Sequence, residues 1–101
     1  MDIDAILAFV TIVNEKSFSN AAKSLHLTQP AISKRIQNLE SRLNVKLFER
    51  LQREIILTDA GQTLLPHALT ILHDFDNALQ AIKNIDLSIS GPLRIVASHH
   101  I

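Results

Sequence analysis

The chain contains no cysteine, which excludes disulfides, thiolate nucleophiles and cysteine-ligated metals. It has only two glycines, Gly61 and Gly91, so no glycine-rich loop can cradle a phosphate group. No apolar run approaches the length that spans a bilayer, and the acidic start MDIDAI lacks the features of a signal peptide. The expected location is therefore the cytoplasm. His67 and His73 are six residues apart and do not share a helix face, and His99 and His100 have no partners at ligand spacing. They read as surface residues, as do Asp74 and Asp76. No nucleophile–base pairing stands out, so neither an enzyme nor a bound metal or other cofactor is expected.

Apolar residues make up 47% of the 101, enough to build a small core. The formal net charge is zero, but its distribution is uneven. Residues 17–53 carry Lys23, Lys34, Arg35, Arg42, Lys46, Arg50 and Arg53 against Glu40 and Glu49, a local excess of +5. From Thr58 onward Lys83 and Arg94 face Asp59, Asp74, Asp76 and Asp86, a local −2. A basic head on an arm that avoids phosphates fits this division.

Ile3, Ile6, Leu7, Val10 and Val13 recur at helical spacing and predict a first helix, capped by Asp2 or Asp4. Ser17 caps a second helix reaching Leu25, where Ala21 and Ala22 let a neighbouring helix come close. The turn His26-Leu27-Thr28 lacks glycine, and His26 is the first candidate for a left-handed backbone. Thr28 caps a third helix, with Pro30 in its first turn and Asn44 as a left-handed stop. Ile32, Ile36, Leu39 and Leu43 form its buried stripe, while Gln29, Ser33 and Gln37 share another face. Residues 45–51 and 53–57 are β-rich and predict a small hairpin about Gln52.

The second and third helices make a helix-turn-helix whose polar face suits a DNA major groove. Gln29 can pair bidentately with adenine, and Gln37 reaches bases or phosphate. The Pro30 ring can touch a thymine methyl, Ser33 is short enough for a deep fit, and Lys34 and Arg35 suit phosphates or a guanine edge. The bland alternative is a solvated helix face. The paired helix, the turn and the local +5 charge favour DNA. Arg53 at the hairpin suits a minor groove, against an ion pair with Glu49 or Glu54. For Arg50, DNA contact and a structural role stand equal.

Thr58, helped by Asp59, opens a long helix in which Pro66 should produce a kink or loosened first turns. Leu64, Ala68, Ile71, Phe75, Ala78, Ile82 and Ile85 step by four and three, a heptad seam widened by Leu65, Leu72 and Leu79. The seam either covers the domain's own core or pairs with a second copy. Dimerisation is expected, through Leu64, Ala68, Ile71, Leu72, Phe75, Ala78, Leu79 and Ile82. Ser90-Gly91-Pro92 ends the helix, and residues 93–97 read as one strand.

SFSNAAKSLHLTQPAISKRIQNLE, LFER, LTDAG and the closing SGPLRIVAS together resemble the N-terminal part of LysR-type transcriptional regulators, across essentially the whole chain. The resemblance implies a mainly α fold. A winged helix-turn-helix of three helices and a small β-hairpin wing would occupy residues 1–58. A linker helix over 59–89 would pair two subunits, and residues 90–101 would begin an effector-binding domain cut short by the chain end. It implies DNA contacts at Thr28, Gln29, Pro30, Ser33, Lys34, Gln37 and Arg53, on an interrupted palindrome. It also implies a homodimer, a tetramer in the intact protein, and a small-molecule effector that needs the missing C-terminal domain. Asn44 stands where that family usually has glycine, and the wing sequence LQREI places Glu54 near the DNA. The rival expectation is a helical protein-interaction module that uses the same seam and ignores nucleic acid.

Overall fold

The computed structural model describes residues 2–90, with side chains described to residue 85. The elements run α1 (Ile3–Glu15), α2 (Phe18–Ser24), α3 (Gln29–Leu43), β1 (Phe48–Leu51), β2 (Glu54–Leu57) and α4 (Asp59–Ser90). The expected strand at 93–97 and the expected helix stop at Gly91 lie outside the described residues.

Each of the first three helices opens on a side-chain cap. Asp2 accepts from the Ala5 amide at 2.8 Å, Ser17 from Asn20 at 3.0 Å and Thr28 from Ala31 at 3.2 Å. Such caps satisfy amides that a helix leaves unpaired at its start. Each of the three also ends without glycine. Lys16, His26 and Asn44 all take the left-handed conformation at φ 58°. Around two of them the chain closes a double hydrogen bond. Leu27 N–H donates to Ala22 C=O at 2.8 Å, and Val45 N–H to Glu40 C=O at 3.2 Å. This is the six-to-one bond of a Schellman stop, with His26 and Asn44 where glycine usually sits. The expected end of α2 at Leu25 shifts one residue earlier, because Leu25 is the capping residue.

α1 is the central beam, packed against α2, α3 and α4. Ile6, Phe9 and Ile12 of α1 meet Ile32, Ile36 and Leu39 of α3, and Ala21 and Ala22 of α2 close the gap. Small residues there allow the close helix approach that the sequence suggested. The core contains no buried polar side chain among the described residues.

β1 and β2 pair antiparallel, Phe48 opposite Leu57 and Leu51 opposite Glu54, so that Gln52 and Arg53 form a two-residue turn. Gln52 holds φ at 56°, another left-handed position filled without glycine. The strands are shorter than expected. Residues 45–47 complete the α3 stop and lead into β1, and Arg53 belongs to the turn. Phe48 fastens the hairpin to the helices, 5.4 Å from Phe9 and 5.6 Å from Phe18 between ring centres. Aromatic pairs at such spacings add to the burial itself.

Thr58 joins the hairpin to α4. Its N–H donates to Leu47 C=O at 3.0 Å, and its hydroxyl donates to Lys46 C=O at 2.6 Å and accepts from Gly61 N–H at 3.1 Å. α4 then runs unbroken for 32 residues through Pro66, about 48 Å at the helical rise. Pro66 cannot donate to the Gln62 carbonyl, but it lies on the exposed side. Among the described residues no helix is long and apolar enough to cross a membrane.

The seam along α4 has two parts. Ala68 is completely enclosed, and Leu64, Leu65 and Leu72 are half-buried against the core. Ala68, expected at the dimer seam, is enclosed in the domain's own core, where α4 packs on α1. Farther along, Ile71, Phe75, Leu79, Ile82 and Ile85 are exposed, from 37% at Ile71 to 57% at Ile82. Ala78 is exposed as well.

Candidate nucleic-acid interface

α3 is amphipathic in the way an inserted helix requires. Its inner stripe is buried, which fixes its angle to the rest of the domain. On the outer side Thr28, Gln29, Pro30, Lys34 and Gln37 are exposed, and Ser33 is half-buried at the edge. The sequence therefore places its candidate base readers together on one helix face. Arg35 is half-buried beside them.

The start of α3 offers fewer free amides than a bare helix end. The hydroxyl of Thr28 takes the Ala31 N–H, the Thr28 carbonyl takes the Ile32 N–H at 3.2 Å, and Pro30 has none. The Gln29 amide remains for a phosphate oxygen, and the local field is still that of a helix N-terminus.

Arg53 stands exposed in the wing turn. A cleft separates the wing from the helices, lined by Lys16, Ser19, Gln29, Arg50, Gln52 and Arg53 among others. It gathers three cations beside the first residue of α3, and Glu54 also lines it. Lys16 and Ser19 were not picked out in the sequence. They reach the cleft because Lys16 caps the end of α1 and Ser19 lies in the first turn of α2, a juxtaposition made by packing alone.

The two wing arginines differ. Arg50 lies 5.4 Å from the centre of the Phe18 ring, which gives it a structural contact. The ion pairs considered for Arg53, to Glu49 or Glu54, do not form; the one ion pair among the described residues joins Lys46 to Glu40 at 3.8 Å. Glu40 likewise carries no signal of a role in the sequence beyond its charge and position. Its Oε2 accepts from the Leu47 N–H at 2.8 Å. The available signal was position: Glu40 follows Ile36 by four and borders the buried stripe. Among the described residues no three His, Asp or Glu side chains gather as a metal site would need.

Comparison with known proteins gives a consistent result. The family described as "Bacterial regulatory helix-turn-helix protein, lysR family" matches residues 3–62. The chain is 48% identical over 101 residues to an uncharacterised HTH-type transcriptional regulator in the ibpB-leuC intergenic region of Azotobacter vinelandii, covering 100% of this chain and 70% of that protein. It is 42% identical over 85 residues to the uncharacterised HTH-type regulator YbhD of Escherichia coli K12, covering 84% of this chain and 27% of YbhD. Against other curated relatives it spans between 26% and 34% of their length. Among solved structures, the BenM_DBD/catB site 1 DNA complex superposes with a TM-score of 0.81 at 35% identity, covering 85% of this chain and 96% of that one.

Proposed function

This chain belongs to the lysR family of bacterial regulatory helix-turn-helix proteins, and from that premise we propose that it reads double-stranded DNA by sequence as part of a transcriptional regulator. The observation that carries the reading is the outer face of α3. It is polar, exposed and rigidly backed by the core, in a fold that superposes on a domain solved with DNA.

In this reading α3 enters the major groove. Gln29 and Gln37 meet base edges, Pro30 and Ser33 set the depth, and Thr28 and Lys34 meet the backbone. Arg53 reaches a minor groove from the wing turn. The exposed part of the α4 seam, from Ile71 to Ile82, pairs with a second copy, so that two recognition helices address an interrupted palindrome. A longer regulator with this N-terminal part would assemble as a tetramer in the cytoplasm. It would answer a small effector through a C-terminal domain.

The test is a titration of the isotope-labelled chain with short mixed-sequence duplex, following each amide signal. The reading predicts that residues 28–37 and the wing turn shift, while the outer face of α1 stays put. Shifts absent from α3, with α4 alone self-associating, would favour the helical interaction module instead.

A further inference from the structure

A carboxylate in the last turn of a DNA-reading helix is repelled by phosphate unless it is turned away. Glu40 is turned inward, its side chain only 12% exposed. Oε2 accepts from the Leu47 N–H at 2.8 Å, and Oε1 lies 3.8 Å from the Lys46 ammonium. The Glu40 carbonyl also accepts from Val45 N–H at 3.2 Å. One residue of α3 thus grips the chain at both ends of the short run that leads into β1.

Leu47 is the joint on the other side. Its carbonyl accepts from Thr58 N–H at 3.0 Å, and its side chain is buried in the core. Both backbone groups of Leu47 are therefore taken, one by the recognition helix and one by the end of the hairpin. Thr58 adds its hydroxyl to the Lys46 carbonyl at 2.6 Å. Among the described residues the Glu40–Leu47 bond is the one side-chain hydrogen bond that links α3 to the hairpin. A bond to an ionised acceptor is stronger than a neutral one, and its loss leaves an amide unpaired.

We infer that Glu40 is a positioning residue that fixes the angle of the wing to α3, so that Gln37, one turn earlier, and Arg53 in the wing engage the same half-site together. The inference rests on the DNA-reading function proposed above. Glu40 itself touches no DNA. Its carboxylate acts through Leu47 and the hairpin base.

The experiment combines Glu40→Ala and Glu40→Gln with Arg53→Ala in the full chain, titrated against a duplex that the unaltered protein selects. Arg53→Ala costs roughly tenfold in affinity on the unaltered background. Glu40→Ala alone also costs roughly tenfold, and on that background Arg53→Ala costs less than about twofold more. Glu40→Gln keeps an acceptor oxygen and retains both the affinity and the Arg53 dependence. Losses that simply multiply, or a Glu40→Gln variant as impaired as Glu40→Ala, overturn the inference.

Hydrogen exchange provides an arm that needs no DNA. In Glu40→Ala the Leu47 and hairpin amides exchange about tenfold faster while the core amides of α1 are unchanged. Unchanged exchange at Leu47 overturns the inference even where DNA binding holds. If the unaltered chain binds no duplex, the proposed function falls, and exchange still decides whether Glu40 holds the wing. Should Glu40→Ala fail to fold, Glu40→Asp, one methylene too short to reach Leu47, is read in its place.

Discussion

The guanidinium of Arg50 lies 5.4 Å from the centre of the Phe18 ring, and Phe18 meets Phe48 edge-on at 5.6 Å. Arg50 thereby ties wing strand β1 back to helix α2. Arg53, three residues later, makes no such contact and stands exposed in the turn. Two arginines of one hairpin thus stand in different surroundings.

Arg50→Ala should lower stability by about 0.5–1 kcal/mol, the usual value of an exposed cation–π contact. Arg53→Ala should leave stability within about 0.5 kcal/mol of the unaltered chain and weaken DNA binding instead. Urea unfolding of both variants checks the distinction. Equal losses of stability would show that the Phe18 contact does nothing.

Gln29 and Lys34 share the exposed face of α3 but should act differently. Gln29→Ala should cost on the order of 1–3 kcal/mol at the preferred site and far less on unrelated DNA. Lys34→Ala should weaken binding to all sequences and flatten the log–log salt dependence by roughly one unit per lost phosphate contact. Titrations at several salt concentrations, on preferred and scrambled duplexes, separate the two roles. A uniform loss for Gln29→Ala would remove it from base reading.

The division of the α4 seam yields a paired test. Ile71 is 37% exposed and Ala68 is enclosed. Ile71→Asp should give folded monomers by sedimentation, because it charges an interface without touching the core. Ala68→Leu should destabilise each subunit by roughly 1–3 kcal/mol through overpacking. An intact dimer in Ile71→Asp would rule out the seam as the pairing surface.

Gly61 sits in the first turn of α4, where alanine normally strengthens a helix by about 1 kcal/mol. Here an added Cβ would press on the Leu47 carbonyl and come within 2.7 Å of Leu57 Cδ2. Leu47 O is backbone, already bonded to Thr58, and cannot retreat. Gly61→Ala should therefore destabilise, by about 1–3 kcal/mol, in thermal or urea unfolding. A stabilised variant would mean that α4 does not approach Leu47 and Leu57 at the hairpin base this closely.

The helices and their caps were legible because periodicity and capping are local. Asp2, Ser17 and Thr28 announce helix starts, and the face shared by Gln29, Ser33 and Gln37 follows from spacing alone. His26 was legible for the same reason: a turn without glycine must put some residue in the left-handed region. The hairpin is legible but shorter than its β-rich runs, since β-propensity at Val45 and Leu47 cannot register the bonds that complete the α3 stop. The covering of the seam was not legible, because a heptad pattern looks the same whether its partner is α1 or another chain. Glu40 was missed for a related reason. Its partner is a backbone amide, and an amide has no sequence signature.

Sequence-specific DNA reading is tested most directly by selection of random duplex DNA by the purified chain, with the bound pool sequenced. Reading by paired subunits should enrich an interrupted palindrome whose two halves are each met by an α3 helix. A bound pool with the same sequences as the input would contradict it.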